Sequence, residues 1–184
     1  MKHLTMQELE EGLPHIQESP KDEGKLEMIV RRPAENEREI IEEGELHTED
    51  GLVGDNWKTR GSSRTDDGSA HPLMQLNIMN ARSIDLIAQS KDRWHLAGDQ
   101  LFVDLDLSNE NLKTGDQLTI GSAIVEVTEI PHNGCKKFTE RYGIDSMKFV
   151  NSAVGKQLHL RGINAKVIQN GTIRAGDVVK KISI

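Results

Sequence analysis

Cysteine, aromatic residues and long apolar runs are scarce in this sequence, and each scarcity excludes a class of protein. Cys135 is the only cysteine among 184 residues, so no disulfide can form within the chain and an oxidising compartment is not indicated. No run approaches the roughly 18 apolar residues of a membrane-spanning helix. The N-terminal MKHLTMQELEEG lacks the apolar stretch of a secretory signal. We therefore expect a cytoplasmic protein that has no membrane partner.

An excess of basic charge is also missing, which argues against binding to nucleic acid. The formal net charge is -7, and residues 1–50 alone hold 15 acidic against 6 basic residues. The remaining 134 residues hold 15 acidic and 17 basic residues, without a basic stripe that has interleaved aromatic residues. Because proteins bind nucleic acid largely by neutralising phosphates with Lys and Arg, we expect no nucleic-acid partner.

Short stretches of alternating apolar and polar residues are the main pattern of the chain. Such alternation is typical of half-buried strands, and it occurs at 25–32, 73–79, 101–107, 117–130 and 161–184. Gly121-Ser122 and Asn170-Gly171 predict hairpins inside the last two stretches. The connections leave no room for a helix after every strand, which excludes a doubly wound α/β sheet. We predict a mainly β fold, a closed or nearly closed β-barrel with a few short peripheral helices.

The peripheral helices are predicted from their capping signals. Thr5 and Glu8 match a capping box at the start of a first helix, which Gly12 and the following proline limit to about two turns. Asn80 can cap a second helix, and residues 138–153 have room for one or two more. These helices lie between strands, so they are expected to cover the barrel rather than to build a layer of their own.

Glycine followed by aspartate is a recurring pair that precedes several strands. It occurs at Gly54-Asp55, Gly98-Asp99, Gly115-Asp116 and Gly176-Asp177. We interpret each pair as a turn in which glycine adopts positive φ and aspartate binds the turn backbone. The stretch 58–71 has no apolar periodicity and is predicted to be a long surface loop. The predicted organisation is an N-terminal helical extension over 1–24 and one barrel domain over 25–184.

Residues 130–143, IPHNGCKKFTERYG, surround the single cysteine with positive charge. Lys136 and Lys137 follow Cys135 directly, His132 precedes it by three residues, and Arg141 follows by six. Neighbouring cations favour the reactive thiolate form of a cysteine. A lone cysteine can instead be a small buried apolar residue, but buried cysteines usually lie inside apolar strands. The polar turn before Cys135 therefore favours a reactive or metal-ligating thiol.

The sequence carries no standard hydrolase motif and no phosphate-binding glycine loop. The seven histidines lack the spacing of a structural zinc site. A cysteine–histidine nucleophile pair is left open through His71, His132 or His159, because the sequence alone cannot bring any of them beside Cys135.

Several of these stretches, in this order, resemble the MOSC domain, which is named after the C-terminal part of molybdenum-cofactor sulfurases. The resemblance covers residues 25–184. It rests on GLVGDNW (51–57), HPLMQLNIMN (71–80), AGDQLFVDLDLSNENL (97–112), GCKKF (134–138) with the glycine that follows, and RGINAKVIQNGTIRAGDVV (161–179).

The resemblance implies a barrel of the pyruvate-kinase-barrel-like type and one reactive cysteine, which maps to Cys135. It also implies the molybdenum cofactor (molybdopterin), whose pterin carries a phosphate. In this family the cysteine is thought either to carry sulfur as a persulfide or to bind molybdenum. Arg161-Gly162 and Asn111-Leu112 match family motifs, whereas Ser108-Asn109-Glu110 replaces the Glu or Gly-Glu that precedes Asn-Leu in many relatives.

Candidate site residues follow from the resemblance and the local charge together. Cys135 is the candidate catalytic residue and, if it binds metal, the molybdenum ligand. The candidate cofactor-binding residues are Lys136, Lys137, Arg141, Arg161, Gly162, Asn111, His71 and His132. Arg60 or Arg64 could add phosphate contacts, since arginine binds phosphate bidentately.

Three functions are left open by the sequence. The first is cofactor binding combined with sulfur transfer through a persulfide on Cys135, with a cysteine desulfurase as sulfur donor. The second is reduction of N-hydroxylated compounds with Cys135 as molybdenum ligand and a separate redox partner protein. The third is a non-catalytic cofactor-binding module. No pyridoxal-phosphate domain and no flavin, haem or iron–sulfur signature is recognised, and a homodimer is left open.

Overall fold

Seven strands close into a β-barrel in the computed structural model, which describes residues 2–182. The strands of the chain are β1 (Glu23–Arg31), β2 (Glu39–Ile41), β3 (Glu43–His47), β4 (Gly51–Leu52), β5 (Leu76–Asn80), β6 (Leu101–Asp104), β7 (Gln117–Ile120), β8 (Ala123–Val127), β9 (Ile163–Gln169), β10 (Gly171–Arg174) and β11 (Val178–Ile182). Around the barrel the order is β1-β6-β5-β9-β8-β7-β11, and β11 pairs with β1 to complete the ring. The predicted closed, mainly β barrel is therefore confirmed.

Two strand groups lie outside the ring. Strand β2 extends the sheet from the end of β1, and β10, β3 and β4 form a small separate sheet. The ring itself is antiparallel except at the β5–β6 pair, which is parallel. The connection between these two strands holds a helix, as a parallel connection requires.

Short helices cover the outside of the barrel. They are α1 (Met6–Glu11), α2 (Leu13–Gln17), α3 (Trp57–Arg60), α4 (Ala81–Ala88), α5 (Lys136–Tyr142), α6 (Ile144–Asn151) and α7 (Ala153–Gln157), with 3-10 helices at Pro72–Met74 and Lys91–Ala97. The capping box of Thr5 and Glu8 and the cap at Asn80 are confirmed. Pro14 does not end the helical region, because it lies in the first turn of α2, where a missing N–H costs nothing. Among residues 2–182 there is no helix with the length and apolar character needed to cross a membrane.

The barrel separates two apolar cores. One fills the interior and includes Leu26 and Ile29; the other lies between the outer wall and the helices and includes Met28 and Val30. A register shift between Leu26 and Met28 divides β1 between these cores, since a bulge reverses the face on which later residues lie. Leu26 therefore does not share a face with Met28 and Val30, although strict alternation predicts that it does. Both faces of β1 are buried.

The hairpin predicted at Asn170-Gly171 is wrong. Strand β9 pairs with β5 and β8, whereas β10 pairs with β3. A two-residue turn of the predicted type needs positive φ at both central residues, and neither Asn170 nor Gly171 has it. Asn170 instead accepts a hydrogen bond from the Thr48 N–H at 2.8 Å, which directs the chain to the small sheet. The hairpin between β7 and β8 at Gly121-Ser122 is confirmed.

The Gly-Asp pairs share one backbone conformation but place aspartate in two different settings. Positive φ is found at all four glycines: Gly54, Gly98, Gly115 and Gly176. Asp116 and Asp177 accept hydrogen bonds from backbone N–H groups three residues earlier, as turn residues do. Asp55 and Asp99, in contrast, are completely buried side chains that pair with arginine. The turn interpretation is thus incomplete for two of the four pairs.

Candidate functional site

Cys135 lies at the end of a short connection between β8 and α5, at the N-cap position of the helix. The thiol is exposed and makes no capping hydrogen bond. Asn151 fixes the preceding Gly134, accepting its N–H at 2.9 Å and donating to its carbonyl at 3.1 Å. The cysteine is therefore held by its backbone on a fixed connection while its sulfur faces solvent, and it is not a buried core residue.

A basic cavity of about 200 Å³ opens beside α5. We call it the arginine cavity, and its charged lining residues are Arg32, Arg38, Arg60, Lys137 and Glu35. Lys137 lies two residues from Cys135 and 3.6 Å from Glu35 Oε1. The cavity and the exposed thiol are thus connected through the first turn of α5.

Arg32 lines the arginine cavity, and its charge is neutralised by Asp55. Its side chain makes a bidentate ion pair with Asp55, with Nε–Oδ2 and Nη2–Oδ1 distances of 2.8 Å. Its Nη1 also donates to the Gly98 carbonyl at 3.0 Å. Because Asp55 is completely buried, this pair anchors the end of β1 to the turn that follows β4.

Within residues 2–182, neither Arg38 nor Arg60 forms an ion pair like that of Arg32 with Asp55, although the Asp55 charge acts on both. Arg38 donates to the Glu37 carbonyl at 2.6 Å, but its Nε is buried and has no partner among residues 2–182. Burial and the nearby Arg141 and Arg32 lower the pKa of Arg38, and burial with Arg32 lowers the pKa of Arg60. Like charges that depress each other's pKa would be stabilised by an anion placed between them.

Arg141 of α5 lies near Arg38 but is not among the residues that line the arginine cavity. A methyl group placed on Gly98 would lie 3.5 Å from Arg38 Nη2 and 3.7 Å from Arg141 Nη1, so both guanidinium groups flank this turn. Arg141 also donates to the Leu96 carbonyl. The φ of 90° at Gly98 favours glycine there, whereas a Cβ would meet both arginines only at ordinary contact distances.

Arg161 lies beneath α5 in a buried network and does not line the arginine cavity. Its Nη1 contacts Asp99 Oδ2 at 2.6 Å and its Nη2 donates to the Ala97 carbonyl at 3.0 Å. Its guanidinium group lies 4.9 Å from the centre of the Phe138 ring, a cation–π contact. Arg161 thus supports the helix that carries Cys135 from below.

His132 closes this network on the other side. Its Nδ1 lies 3.4 Å from Asp99 Oδ1, and neither atom has another partner among residues 2–182. Burial, followed by the positive charges of Arg161, Arg32 and Arg64, holds the pKa of His132 well below its usual range. His132 is therefore neutral, and its contact with Asp99 is not an ion pair. Burial raises the pKa of Asp99, while Arg161 opposes that change.

We predict that His132 makes the protein less stable as the pH falls below about 6.5, where an unfolded chain protonates histidine. The folded state keeps His132 neutral, so below that pH the unfolded state binds one more proton. Its stability should then fall by up to about 1.4 kcal/mol per pH unit until the lower folded-state pKa is reached. Urea unfolding of wild type and His132→Asn from neutral to mildly acidic pH tests this. Parallel pH profiles for the two proteins would contradict it.

The other predicted residues have local structural contacts. Gly162 has a φ of 106°, and a Cβ there would lie 2.3 Å from the Ile78 carbonyl, so only glycine allows this approach to β5. Asn111 donates to the carbonyls of Lys21 and Asp106 at 2.7 and 2.8 Å. His71 accepts the Leu73 N–H at 3.2 Å and starts a 3-10 helix. None of these lines the arginine cavity, and Lys136 is exposed.

Sequence reasoning missed Arg32 and Arg38. Both lie in the first 50 residues, whose acidic surplus hides them in any count of charge. The available signal was the pair Arg31-Arg32 at the end of the strand predicted over 25–32, because neighbouring residues of a strand point to opposite faces. Arg64 of the long loop is close enough to affect the pKa of His132, so the loop does approach this region.

Together, the fold and the site define a small closed β-barrel with an exposed thiol near a cavity lined by three arginines, of which Arg32 is paired with Asp55. The family model described as the MOSC domain matches residues 66–180. The chain belongs to the MOSC domain family, which is associated with the molybdenum cofactor. Arg32, Arg38 and Arg60 precede the matched range, so most of the arginine cavity is contributed by the part of the chain before it.

Three solved structures with a similar fold are distant from this chain in sequence. YuaD from Bacillus subtilis is 18% identical with a TM-score of 0.64, and the match covers 88% of this chain and 97% of that one. YiiM from Escherichia coli is 20% identical with a TM-score of 0.54, covering 87% and 70%. YiiM from Geobacillus stearothermophilus is 13% identical with a TM-score of 0.56, covering 87% and 75%. At such identities the likeness concerns the fold alone. A comparison with curated proteins finds no significant match.

Proposed function

We propose that this protein binds the molybdenum cofactor, with the cofactor's phosphate in the arginine cavity and Cys135 next to its reactive centre. The observation that carries the proposal is the half-buried Arg38, whose Nε is buried without a partner. A buried donor without an acceptor is costly, and a native structure usually satisfies it. A bound anion would supply the missing acceptor.

The residues fit a phosphate monoester. Such a group carries about −1.5 to −2 charges near neutral pH and presents three acceptor oxygens. Arg38 and Arg60 offer planar guanidinium forks, which match phosphate oxygens in pairs. Arg32 is already neutralised by Asp55, and Lys137 lies near Glu35, so the positive charge in excess comes from Arg38 and Arg60, with Arg141 close to Arg38. A single dianionic group balances much of it.

Cys135 suits either of the two roles known for the family. As a thiolate it is a soft sulfur donor of the kind that binds transition metals, and the bound molybdenum would supply two-electron redox chemistry. As a sulfur carrier, its thiolate would attack the outer sulfur of a donor persulfide, releasing the donor thiolate and leaving a persulfide on Cys135. The exposure of the sulfur supports access by a protein donor, such as a cysteine desulfurase.

A reductase of N-hydroxylated compounds is the second candidate. It would use Cys135 as metal ligand and would need electrons from a partner redox protein. A non-catalytic binding module would differ from this reductase only in lacking turnover. Both would bind the cofactor at the arginine cavity. The arginine cavity is therefore the part of the proposal to test first.

The test compares wild type, Arg38→Gln and Arg174→Gln, each purified from a host that makes the cofactor. Molybdenum is measured by metal mass spectrometry and the pterin by fluorescence after oxidation. Loss of a charge-assisted hydrogen bond of about 1.5–3 kcal/mol should lower cofactor content by roughly tenfold or more in Arg38→Gln.

Arg174→Gln is the matched control, because Arg174 is an exposed arginine of β10 that pairs with Glu43 away from the cavity. It should load like wild type. Thermal unfolding of all three proteins identifies any variant that has lost its fold. Equal cofactor content in wild type and Arg38→Gln would refute binding at the arginine cavity.

A further inference from the structure

Two further cavities meet at His132 and His159, separate from the arginine cavity. Their volumes are about 170 and 270 Å³, and both are lined by Pro131, His132 and His159. Neither shares a lining residue with the arginine cavity. We call the joined space the histidine cavity. The proposed cofactor site does not use it.

His132 presents an unoccupied acceptor to the histidine cavity. Its Nδ1 lies 3.4 Å from the Asp99 carboxylate. Because this carboxylate is paired with Arg161, it can accept a hydrogen bond but cannot donate one. The ring proton of the neutral histidine therefore belongs on Nδ1, which leaves a lone pair on Nε2. Nε2 makes no hydrogen bond within residues 2–182. It is not one of the buried atoms that lack a partner, so it is accessible to a ligand.

His159, which lines the same two cavities, also has its Nδ1 next to an acceptor. Its Nδ1 lies 2.6 Å from the Leu107 carbonyl, which can only accept, so Nδ1 carries the proton and Nε2 the lone pair. His159 also adopts a φ of 50°, a conformation uncommon for a residue with a side chain. Such strain tends to persist where the position of a side chain matters. Two imidazoles thus offer fixed acceptors to one cavity.

The surrounding charge limits what can bind between them. Arg161 and Arg32 lie beside His132, and together with Arg64 they disfavour a further positive charge there. A metal cation or an ammonium group is therefore disfavoured. Among residues 2–182, no group of three or more His, Cys, Asp and Glu side chains is placed to hold a metal ion. The ligand that fits must donate hydrogen bonds without carrying positive charge.

We propose that the histidine cavity is a second binding site, for small neutral molecules that donate N–H or O–H hydrogen bonds to His132 and His159. The apolar walls contributed by Pro131 and Val150 suit a short carbon group attached to the donors. Amides and ureas with free N–H groups belong to this class. The site goes beyond the proposed cofactor binding and does not require it.

The experiment uses cofactor-free, metal-free protein with ¹⁵N-labelled histidine. Acetamide is the probe, and N,N-dimethylacetamide is its matched control, since methylation removes both N–H donors. We expect the Nε2 signals of His132 and His159 to shift with the probe and not with the control. In His132→Phe the affinity should fall by roughly tenfold, the effect of one lost hydrogen bond at a buried site.

Arg38→Gln separates this site from the cofactor proposal. It should bind the probe like wild type even if it has lost cofactor. His159→Asn is a second variant, because asparagine tolerates positive φ, and it should weaken binding without loss of fold. Unmoved signals of both histidines, or equal shifts with the methylated control, would overturn the proposal. So would shifts produced by equimolar Zn²⁺ but not by the probe, since the site would then bind metal.

Discussion

Replacing Cys135 with serine is expected to remove nearly all molybdenum from the purified protein while leaving its pterin content close to that of wild type. Serine keeps the size and exposure of the side chain but is a poor ligand for a metal that prefers soft sulfur donors. The phosphate contacts that we propose for Arg38 and Arg60 do not involve Cys135, so the change should leave them intact. Metal mass spectrometry and pterin fluorescence on the same samples measure the two quantities separately.

The same variant distinguishes the roles of the thiol. If Cys135 carries sulfur and does not bind metal, molybdenum content is equal in both proteins. Intact-mass measurement after treatment with a cysteine desulfurase and cysteine should then show one added sulfur atom in wild type only. Retained molybdenum together with an unchanged mass would contradict both roles for Cys135.

Replacing Arg161 with methionine is expected to destabilise the protein by about 3–5 kcal/mol, the usual cost of leaving a buried charge without its partner. Asp99 is completely buried; its other oxygen lies 3.4 Å from His132 Nδ1 and has no hydrogen-bond partner in the described part of the chain. Methionine fills a similar length beside Phe138, so lost packing contributes little. Urea unfolding of wild type and variant measures the difference in the free energy of unfolding.

A double variant provides the control for this prediction. Arg161→Met combined with Asp99→Asn removes the charge that the single change strands. It should therefore be less destabilised than the sum of the two single variants, as expected for residues in direct contact. Additive effects of the two changes would contradict this prediction. So would a loss below about 1 kcal/mol in Arg161→Met, because a surface ion pair contributes about that much.

Local patterns predicted most of the barrel because each of them reports on near neighbours in the chain. The alternation in 117–130 and the turn at Gly121-Ser122 gave β7, β8 and their hairpin. Asn170-Gly171 has the same kind of signal, yet β10 pairs with β3. The partner of a strand depends on contacts far apart in sequence, such as Asn170 with Thr48, and no local pattern contains them.

In the candidate site, too, the residues close together in sequence were predictable and those far apart were not. The exposed thiol of Cys135 and the approach of Lys137 and Arg141 were predictable, since all three belong to one stretch around α5. Arg32 and Arg38 were not, because they reach the cavity from the other end of the chain through barrel closure. Asp99 looked like a turn residue, and its pairing with Arg161 62 residues later is a tertiary contact.

Direct titration of the cofactor is the measurement that tests the central claim most closely. Molybdenum cofactor released from a carrier protein would be added to the cofactor-free forms of wild type, Arg38→Gln and Arg174→Gln, at two salt concentrations. We predict that wild type and Arg174→Gln bind alike and that Arg38→Gln binds roughly tenfold more weakly, with a smaller dependence on salt because one charge is missing. Equal affinity and equal salt dependence in all three proteins would contradict the assignment of the arginine cavity as the phosphate site.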